Sequence, residues 1–427
     1  MAVQCGPPVP IGPAMVSGSR GYENRMVLLL CVSVGIVFFD RNAINYLMPY
    51  IAPEMGVSNT QIGLLASGLS LAWAISGLGL AALIDRTGQR RRWLVGLMVV
   101  FSLCSVVSGL AAGFVALLAA RVVMGLAEGP IVPVAQSIVA LESSPLRRGL
   151  NMGIVQNLGG GLLGQFVAPI VVVGLAQTYG WRVAFYVAGI PGLLLALLCL
   201  LGLREPSRRE RGAVGKERRK YSIVQLLRVR NIWLCCVVSC LMLSWLVLGW
   251  VFMPLYMIRV AQITESGMSL LLAVMGLSGA LCGAFVASSL SDRYGRKPVM
   301  VLFCLIGVLS PAGLLLHGGD LPVTAFMLFL GASAAGTFPV FMAAIPSESL
   351  PLRYLGTSMA LVSAVGEIVG GVCAPLFAGR GADLYGLTFP LYMQVGLAIL
   401  ASVVSLFLLE TAPRIVGSAN LEHEIVI

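Results

Sequence analysis

The stretch LIDRTGQRR at residues 83–91 decides the architecture of this chain, because it recurs as LSDRYGRKP at residues 290–298, 207 residues later. Two further segments recur at an offset of 206: ESSPLRRG (142–149) as ESLPLRYLG (348–356), and GLLGQFVAP (161–169) as EIVGGVCAP (367–375). Three matches at nearly one offset are hard to ascribe to chance. Self-similarity at a long period indicates that the chain is built from two related halves.

The composition of the 427 residues places the chain in a membrane. Hydrophobic residues make up 58% and charged residues only 11%, whereas a soluble protein carries about 25% charged residues. The apolar segments are continuous runs of about 20 or more residues, the length that an α-helix needs to cross the hydrocarbon core of a bilayer. They do not resemble the short alternating strands of a membrane barrel. The sequence therefore predicts an all-α membrane protein.

Twelve apolar spans follow one another along the chain, and the loops between them differ in charge. The predicted spans are 26–48, 61–84, 93–112, 114–140, 150–174, 182–203, 231–256, 267–290, 298–317, 322–345, 356–378 and 388–410. Of the 28 Lys and Arg, 23 lie in the N-terminal segment, in the loops after even-numbered spans or in the tail. The positive-inside rule then predicts that both termini are cytoplasmic. The formal net charge of +10 follows from this topology and does not indicate nucleic-acid binding.

One long polar linker divides the chain into five predicted parts. They are a cytoplasmic N-terminal segment (1–25), an N-terminal six-helix half (26–203), a cytoplasmic linker (204–230), a C-terminal six-helix half (231–410) and a cytoplasmic tail (411–427). The apolar stretch after residue 25 is too long for the core of a signal peptide, so a retained span is predicted. Two pseudo-symmetric six-helix halves about a cleft are the organisation of an alternating-access transporter.

Motifs in the first half resemble those of the major facilitator superfamily. DRTGQRRR (85–92) resembles its signature loop between spans 2 and 3, although Ala81 replaces the usual glycine, and RVVMGLAEGP (121–130) resembles its span-4 signature. DRNAINYLMPYIAPEMGVSNTQIGLL (40–65) and GWRVAF (180–185) are most similar to its anion:cation symporter branch. The resemblance implies the major facilitator fold and the transport of sugar acids or other organic anions. Spinster-type lysolipid transporters share the Asp-Arg pair of span 1 and the Arg/Glu spacing of span 4.

Five charged residues lie well inside the predicted spans: Asp40, Arg41, Arg121, Glu128 and Glu367. Charge is expensive at membrane depth and persists mostly where it faces a polar interior. Arg121 and Glu128 share one helix face, roughly 10 Å apart along the axis. One interpretation is a structural salt-bridge cluster that locks spans 1 and 4 together. The other is a functional set, in which arginine forks bind a substrate carboxylate and the acids titrate as the cleft wets and dries.

The repeat favours the functional interpretation. The two charges of span 4 are replaced by Met327 and Ala334 in the second half, whereas the packing residue Gly125 is retained as Gly331. A purely structural pair would have less reason to occur in one half only. By the resemblance, the aspartate and the glutamate would be the protonated pair and the arginines the contacts of the substrate anion.

The predicted site residues fall into three groups. The substrate-binding candidates are Arg41, Asn45, Arg121, Gln156, Asn157, Trp245 and Tyr256. The proton-coupling candidates are Asp40, Glu128 and Glu367, and the gating candidates in the repeated DR-x-G loops are Asp85, Arg86, Asp292 and Arg293. Packing or interfacial anchoring also explains the span-7 aromatic residues, and a protonated, helix-bonded carboxyl explains Glu367 equally well. Aromatic residues that line the cleft would indicate a substrate with an apolar or ring-shaped portion.

These features predict a transporter that takes up an organic anion, such as a sugar acid or an aromatic carboxylate, with protons across the inner membrane. The rivals are export of a lipophilic, lysolipid or drug-like substrate on the same fold, and a non-transporting receptor. No Walker loop, zinc-ligand spacing or nucleophile elbow occurs, so no enzymatic activity, metal or cofactor is predicted. The ten cysteines form no C-x-x-C pair. The predicted partners are the anion, protons and the bilayer, and no nucleic acid is expected. The chain is predicted to be a monomer.

Overall fold

The structure is a computed structural model that describes residues 20–144, 147–205, 226–350 and 355–416. Within these ranges, long helical segments occupy all twelve predicted positions. They are α1 (Arg20–Met55), α2 (Asn59–Thr87), α3 (Arg90–Leu110), α4 (Phe114–Glu142), α5 (Leu150–Tyr179), α6 (Trp181–Gly202), α7 (Arg230–Arg259), α8 (Glu265–Leu281), α9 (Arg296–His317), α10 (Leu321–Ser349), α11 (Thr357–Tyr385) and α12 (Thr388–Ser405).

The predicted all-α membrane class is confirmed. Ten of the helical segments in the described ranges are long and apolar enough to cross a membrane by length and composition. The total of twelve spans stays a prediction, because α2 and α8 are not among those ten. Helix α1 extends beyond the predicted span 26–48 at both ends. Most of the predicted linker (206–225), most of the N-terminal segment and residues 417–427 of the tail lie outside the described residues.

Local sequence determines where the helices begin and turn. Ser58 and Gln61 form a capping box at the start of α2, in which each side chain satisfies a backbone N–H that the helix leaves free. Gly180 and Gly386 join α5 to α6 and α11 to α12 with φ angles of 85° and 87°. Glycine adopts this left-handed region without the steric cost that other residues meet. The two turns occupy equivalent positions of the repeat, which therefore extends to the connections.

The repeat is also visible in two widened helical turns. Gly160–Val167 in α5 and Glu367–Cys373 in α11 are both π-helical. A Cβ atom at Gly164 would meet the Phe38 backbone on α1, 2.9 Å away. The widened turns therefore lie where neighbouring backbones approach closely, and π-helical turns inside α-helices are frequent at functional sites.

The hydrophobic core is shared by the two halves at one end of the molecule and divided at the other. The linker end holds Arg20, Gly202 and Arg230, and the far end holds Met55 and Arg259. Toward the far end, one core cluster draws buried side chains from both halves. Toward the linker end, one cluster contains first-half residues alone and another contains second-half residues alone. Among the described residues, the halves therefore share a core toward the far end and separate toward the linker end.

Hydrogen bonds across the halves hold the far end closed. The Asp383 carboxylate on α11 accepts from the backbone N–H groups of Asn59 and Thr60 at the start of α2, at 2.9 and 2.8 Å. Ser67 Oγ on α2 donates to the Val372 carbonyl on α11 at 2.6 Å. A carboxylate is stabilised at a helix N-terminus because the first N–H groups lack helical partners and the helix dipole is positive there. Asp383 of one half thus caps a helix of the other.

Candidate functional site

A cavity between the halves brings together three of the predicted binding residues. It has a volume of about 420 Å³, counting the space at its mouth, and we call it the arginine cavity. Its polar lining comes from α1, α2 and α4, and the second half contributes apolar residues of α7. The lining residues are Arg41, Asn42, Ile44, Asn45, Leu65, Ala66, Leu69, Ser70, Arg121, Val247, Trp250 and Val251.

Arg41 reaches across the interface between the halves. Its Nη2 lies 3.5 Å from Oε1 of Glu367 on α11, and both side chains are 14% exposed. The same nitrogen donates to Ser70 Oγ at 3.5 Å. The guanidinium also lies over the Trp73 ring, with its Cζ 5.2 Å from the ring centroid. Arg41 is therefore paired with an acid of the second half rather than with the first-half acids that the sequence suggested.

Arg121 is fully buried at the wall of the arginine cavity. Its Cζ lies 4.7 Å from the centroid of the ring of Phe185, which belongs to the GWRVAF motif. Its Nη1 donates to Met124 Sδ at 3.1 Å. Its Nε and Nη2 make no hydrogen bond to any described residue. Buried donors without acceptors are costly. Arg121 is therefore suited to receive an acceptor that the described protein groups do not supply.

Asp40 is also fully buried, and one of its two oxygens is engaged. The Ser105 hydroxyl on α3 lies 2.7 Å from Asp40 Oδ1 and 3.0 Å from the Phe185 carbonyl, and either oxygen can accept its proton. Asp40 Oδ2 has no hydrogen-bond partner among the described residues.

Glu128 is fully buried, and neither of its carboxylate oxygens accepts a hydrogen bond from a described residue. The α-helical part of α4 ends at Glu128 and resumes at Ile131. Asp40 and Arg41 of α1 form no ion pair within 4.0 Å with Arg121 or Glu128 of α4. The structural lock between spans 1 and 4 is therefore not formed. A carboxylate at this depth must either be protonated or have its negative charge compensated by a cation or by water.

A second cavity of about 430 Å³ adjoins the first at Trp250, which lines both, and we call it the tryptophan cavity. The predicted binding residue Trp245 lies in its wall, and the indole N–H donates to the Gly307 carbonyl at 3.1 Å. The wall is largely apolar and includes two amides. Its lining is Tyr46, Gln165, Trp245, Leu246, Gly249, Trp250, Met253, Leu272, Met275, Gly276, Gly279, Ser310, Ala332, Ala335 and Gln394.

Gln394 on α12 is a cavity residue that the sequence reasoning missed. It is 1% exposed, and its Nε2 donates to the Trp245 carbonyl at 2.7 Å. Its Oε1 accepts no hydrogen bond from any described residue. The available signal was a single amide in the apolar helix TFPLYMQVGLAILASVVS. That pattern does not indicate which face of α12 meets a cavity.

Two of the other predicted binding residues, Gln156 and Tyr256, are not among the lining residues of either cavity. Gln156 is exposed, and its Oε1 accepts from Gln136 Nε2 at 3.4 Å. Tyr256 is 5% exposed and belongs to the shared core toward the far end. The side chain of Asn157 lies outside the described part of the structure. Substrate-binding roles for these three residues stay predictions.

The second DR-x-G loop, at the linker end, is organised around Arg296. Its Nη1 lies 2.6 Å from Asp292 Oδ1, and its Nη2 lies 2.7 Å from Glu348 Oε1. Arg293, the predicted gating partner, is exposed and stacks over the ring of its neighbour Tyr294. Two predicted gating side chains lie outside the described part of the structure: Asp85 and Arg86. Asp292 thus pairs with a local arginine, and the gating role stays a prediction.

The arrangement defines a class of protein. Apolar helices in two related halves surround cavities that carry buried charges, which is how a membrane carrier accommodates a polar solute. The described residues contain no group of three or more His, Cys, Asp or Glu that could hold a metal ion. A family profile described as Major Facilitator Superfamily matches residues 30–368 and 248–424. The chain belongs to this superfamily, which confirms the resemblance of its motifs, and it is a multi-pass membrane transporter and not an enzyme.

Known proteins agree with this assignment. The chain is 28% identical over 337 residues to the probable 4-methylmuconolactone transporter of Cupriavidus pinatubonensis, covering 78% of each chain. It is 28% identical over 284 residues to the hexuronate transporter of Bacillus subtilis, covering 64% of this chain and 67% of that one. A solved bacterial homologue of the human lysosomal transporter Spinster, in an inward-facing and occupied conformation, matches with a TM-score of 0.74 at 20% identity, over 91% and 97% of the two chains. The last similarity concerns the fold alone.

Proposed function

We propose that this chain takes up an organic anion together with protons by alternating access. The observation that carries the proposal is the fully buried Arg121 at the cavity wall, whose Nε and Nη2 have no acceptor among the described residues. A guanidinium fork binds a carboxylate through two parallel hydrogen bonds. Arg41 lines the same cavity, so two guanidinium groups are available to one anionic group. The relative named for hexuronate transport supports a carboxylate substrate.

The orientation of the cavity follows from the charged loops. With 23 of the 28 Lys and Arg in loops on one side, the linker end is the cytoplasmic end and both termini are cytoplasmic. The far end, where the halves share a core and Asp383 caps α2, then faces the outside. The conformation is therefore closed to the outside. The predicted halves, 26–203 and 231–410, are the bodies that move, within a monomer in the inner membrane.

Proton coupling in this proposal centres on Glu128, with Asp40 and Glu367 as further proton-binding groups. Protonation of an acid frees an arginine to take the substrate anion, and the loaded site is then nearly neutral. The halves can close over a neutral site without burying an unpaired charge. After the site opens to the more alkaline cytoplasm, the acid loses its proton, the arginine pairs again with an acid and the anion leaves. The Arg41–Glu367 pair is the kind of contact that this last step requires.

Uptake into proteoliposomes tests the proposal. Labelled glucuronate, benzoate and succinate, which represent sugar acids, aromatic acids and dicarboxylates, are offered with an inside-alkaline pH gradient. At least one acid should accumulate above its level in protein-free liposomes, into which benzoate also diffuses as the neutral acid, and a protonophore should abolish this additional accumulation. Flux of these acids that does not depend on the pH gradient would contradict proton coupling. Binding without any flux would favour a receptor.

Export of a lipophilic substrate is the second candidate, because the tryptophan cavity has a largely apolar wall. Such a substrate would need the indole rings and not the arginines. Proteoliposomes with the linker end outward distinguish the two functions. Movement of a lysolipid or a lipophilic dye toward the far-end side, unaffected by substitution of Arg121, would favour export.

A further inference from the structure

We propose that the tryptophan cavity binds the planar, apolar body of the transported anion, and that Gln394 Oε1 accepts a hydrogen bond from a hydroxyl or N–H group on that body. The inference rests on the proposed function, in which the carboxylate of the same molecule binds at Arg41 and Arg121. It adds a substrate class, planar acids with a hydrogen-bond donor remote from the carboxylate. It also adds a specificity-determining residue on α12.

The two cavities are placed to hold the two ends of one molecule. Trp250 lines both. On α1, Asn45 lines the arginine cavity and the next residue, Tyr46, lines the tryptophan cavity. Tyr46 follows Arg41 by five residues, which is roughly 7.5 Å along a helix axis. This difference in depth along α1 is on the scale of one six-membered ring with a substituent at each end.

Among the polar side-chain atoms that line the tryptophan cavity, one acceptor is both buried and without a partner among the described residues. Tyr46 Oη donates to the Gly164 carbonyl at 3.3 Å, and the indole N–H of Trp245 donates to the Gly307 carbonyl. Gln394 Nε2 donates to the Trp245 carbonyl, which determines which way the amide points. Gln394 Oε1 is buried and has no donor among the described residues. A buried acceptor without a donor is costly. A ligand that donates a hydrogen bond to it should therefore bind more tightly than a matched ligand that has no donor.

The apolar wall limits the rest of the ligand. Trp245 and Trp250 present flat indoles, and Met253 and Met275 present flexible thioethers that adapt to an aromatic edge. A fully hydroxylated sugar acid would place several hydroxyls against these side chains without partners, which costs free energy for each one. The cavity therefore favours a ring acid with one remote donor over a polyhydroxylated chain.

Binding to the purified full-length chain in nanodiscs tests the inference by titration calorimetry with matched acids. The pairs are 4-hydroxybenzoate with benzoate, and 4-hydroxyphenylacetate with phenylacetate. In the unsubstituted protein, the hydroxylated member of at least one pair should bind about tenfold more tightly. Gln394→Leu should reduce that ratio to about one, while the affinity for the unhydroxylated acid changes less than about twofold. Gln177→Leu, which removes an exposed amide at the far end of α5, should leave the ratio unchanged.

The possible failures are distinguishable. If the acids bind but hydroxylated and unhydroxylated members bind equally in the unsubstituted protein, the inference is wrong and the proposed anion transport stands. A ratio that survives Gln394→Leu also overturns the role of Gln394. Gln394→Asn, which keeps an amide but shortens it, replaces the leucine variant if that variant does not fold, and the same loss of the ratio is expected. If none of the acids nor glucuronate nor succinate binds or moves, the proposed function fails as well.

Discussion

Arg41 of the first half and Glu367 of the second half form an ion pair across the interface, with Nη2 3.5 Å from Oε1. The pair joins α1 to the π-helical turn of α11, at the edge of the arginine cavity. The Glu367 carboxylate thus occupies a place at the guanidinium that a substrate carboxylate would compete for. This contact gives Glu367 a specific partner, where its position in the sequence left a functional and a structural explanation equally open.

Glu367→Gln is expected to tighten the binding of a transported acid. The neutral amide no longer competes for Arg41, so the affinity should rise by roughly fivefold, which corresponds to about 1 kcal/mol. Affinity measured by titration calorimetry at constant pH checks this. Glu54→Gln is the matched control, because Glu54 pairs with Arg182 at the far end and away from the cavities. Weaker binding by Glu367→Gln would mean that Glu367 itself contacts the substrate.

Arg121→Lys is expected to weaken acid binding strongly. An ammonium cannot reproduce the planar fork, and the loss of a charged hydrogen bond costs about 1.5–3 kcal/mol, or roughly tenfold to over a hundredfold in affinity. The same calorimetric titration measures the change. Arg380→Lys, at an exposed position of α11, should bind as the unsubstituted protein does. Normal binding by Arg121→Lys would assign Arg121 a structural role.

Glu128→Gln is expected to separate exchange from accumulation. Glutamine keeps the shape and hydrogen bonding of the protonated acid but cannot release a proton. The variant should exchange labelled substrate across proteoliposomes and lose accumulation driven by a pH gradient. Full proton-driven accumulation in this variant would assign the coupling role to Asp40 or Glu367 instead. Loss of both exchange and accumulation would indicate a damaged binding site.

Asp383→Asn is expected to loosen the closed far end. The carboxylate accepts from two N–H groups of α2 with its two oxygens. Asparagine has a single acceptor oxygen, so one of these hydrogen bonds is lost, at a cost of about 1 kcal/mol. Hydrogen exchange at residues 59–63 should therefore speed up by roughly fivefold or more. Asp320→Asn is the matched control, because Asp320 caps α10 within its own half by accepting from the Val323 N–H. Equal exchange in both variants would show that the cross-half cap does not hold the far end closed.

Sequence reasoning singled out the charged residues inside the spans, of which Arg41 and Arg121 line the arginine cavity, but it did not show how they pair. Charge inside an apolar span is rare and costly, so Arg41, Arg121 and Glu128 stand out in the sequence alone. Their partners depend on how the halves sit against each other. The pairing of Arg41 with Glu367, 326 positions away, follows from contacts across the interface. Gln394 was missed for a related reason. A single neutral amide in an apolar helix does not indicate a binding site until the residues around it are known.

The sequence by itself determined the class and the two-fold repeat, and it predicts which end faces the cytoplasm. These are local or additive properties: the length and apolarity of each run decide whether it crosses a bilayer, and loop charge decides its orientation. Only the tertiary structure decided that Arg121 Nε and Nη2 and both Glu128 oxygens have no hydrogen-bond partner among the described residues. It also decided that Asp383 caps α2 and that the two cavities adjoin at Trp250. Each of these depends on distances between helices that are remote in the chain, and no local pattern encodes those distances.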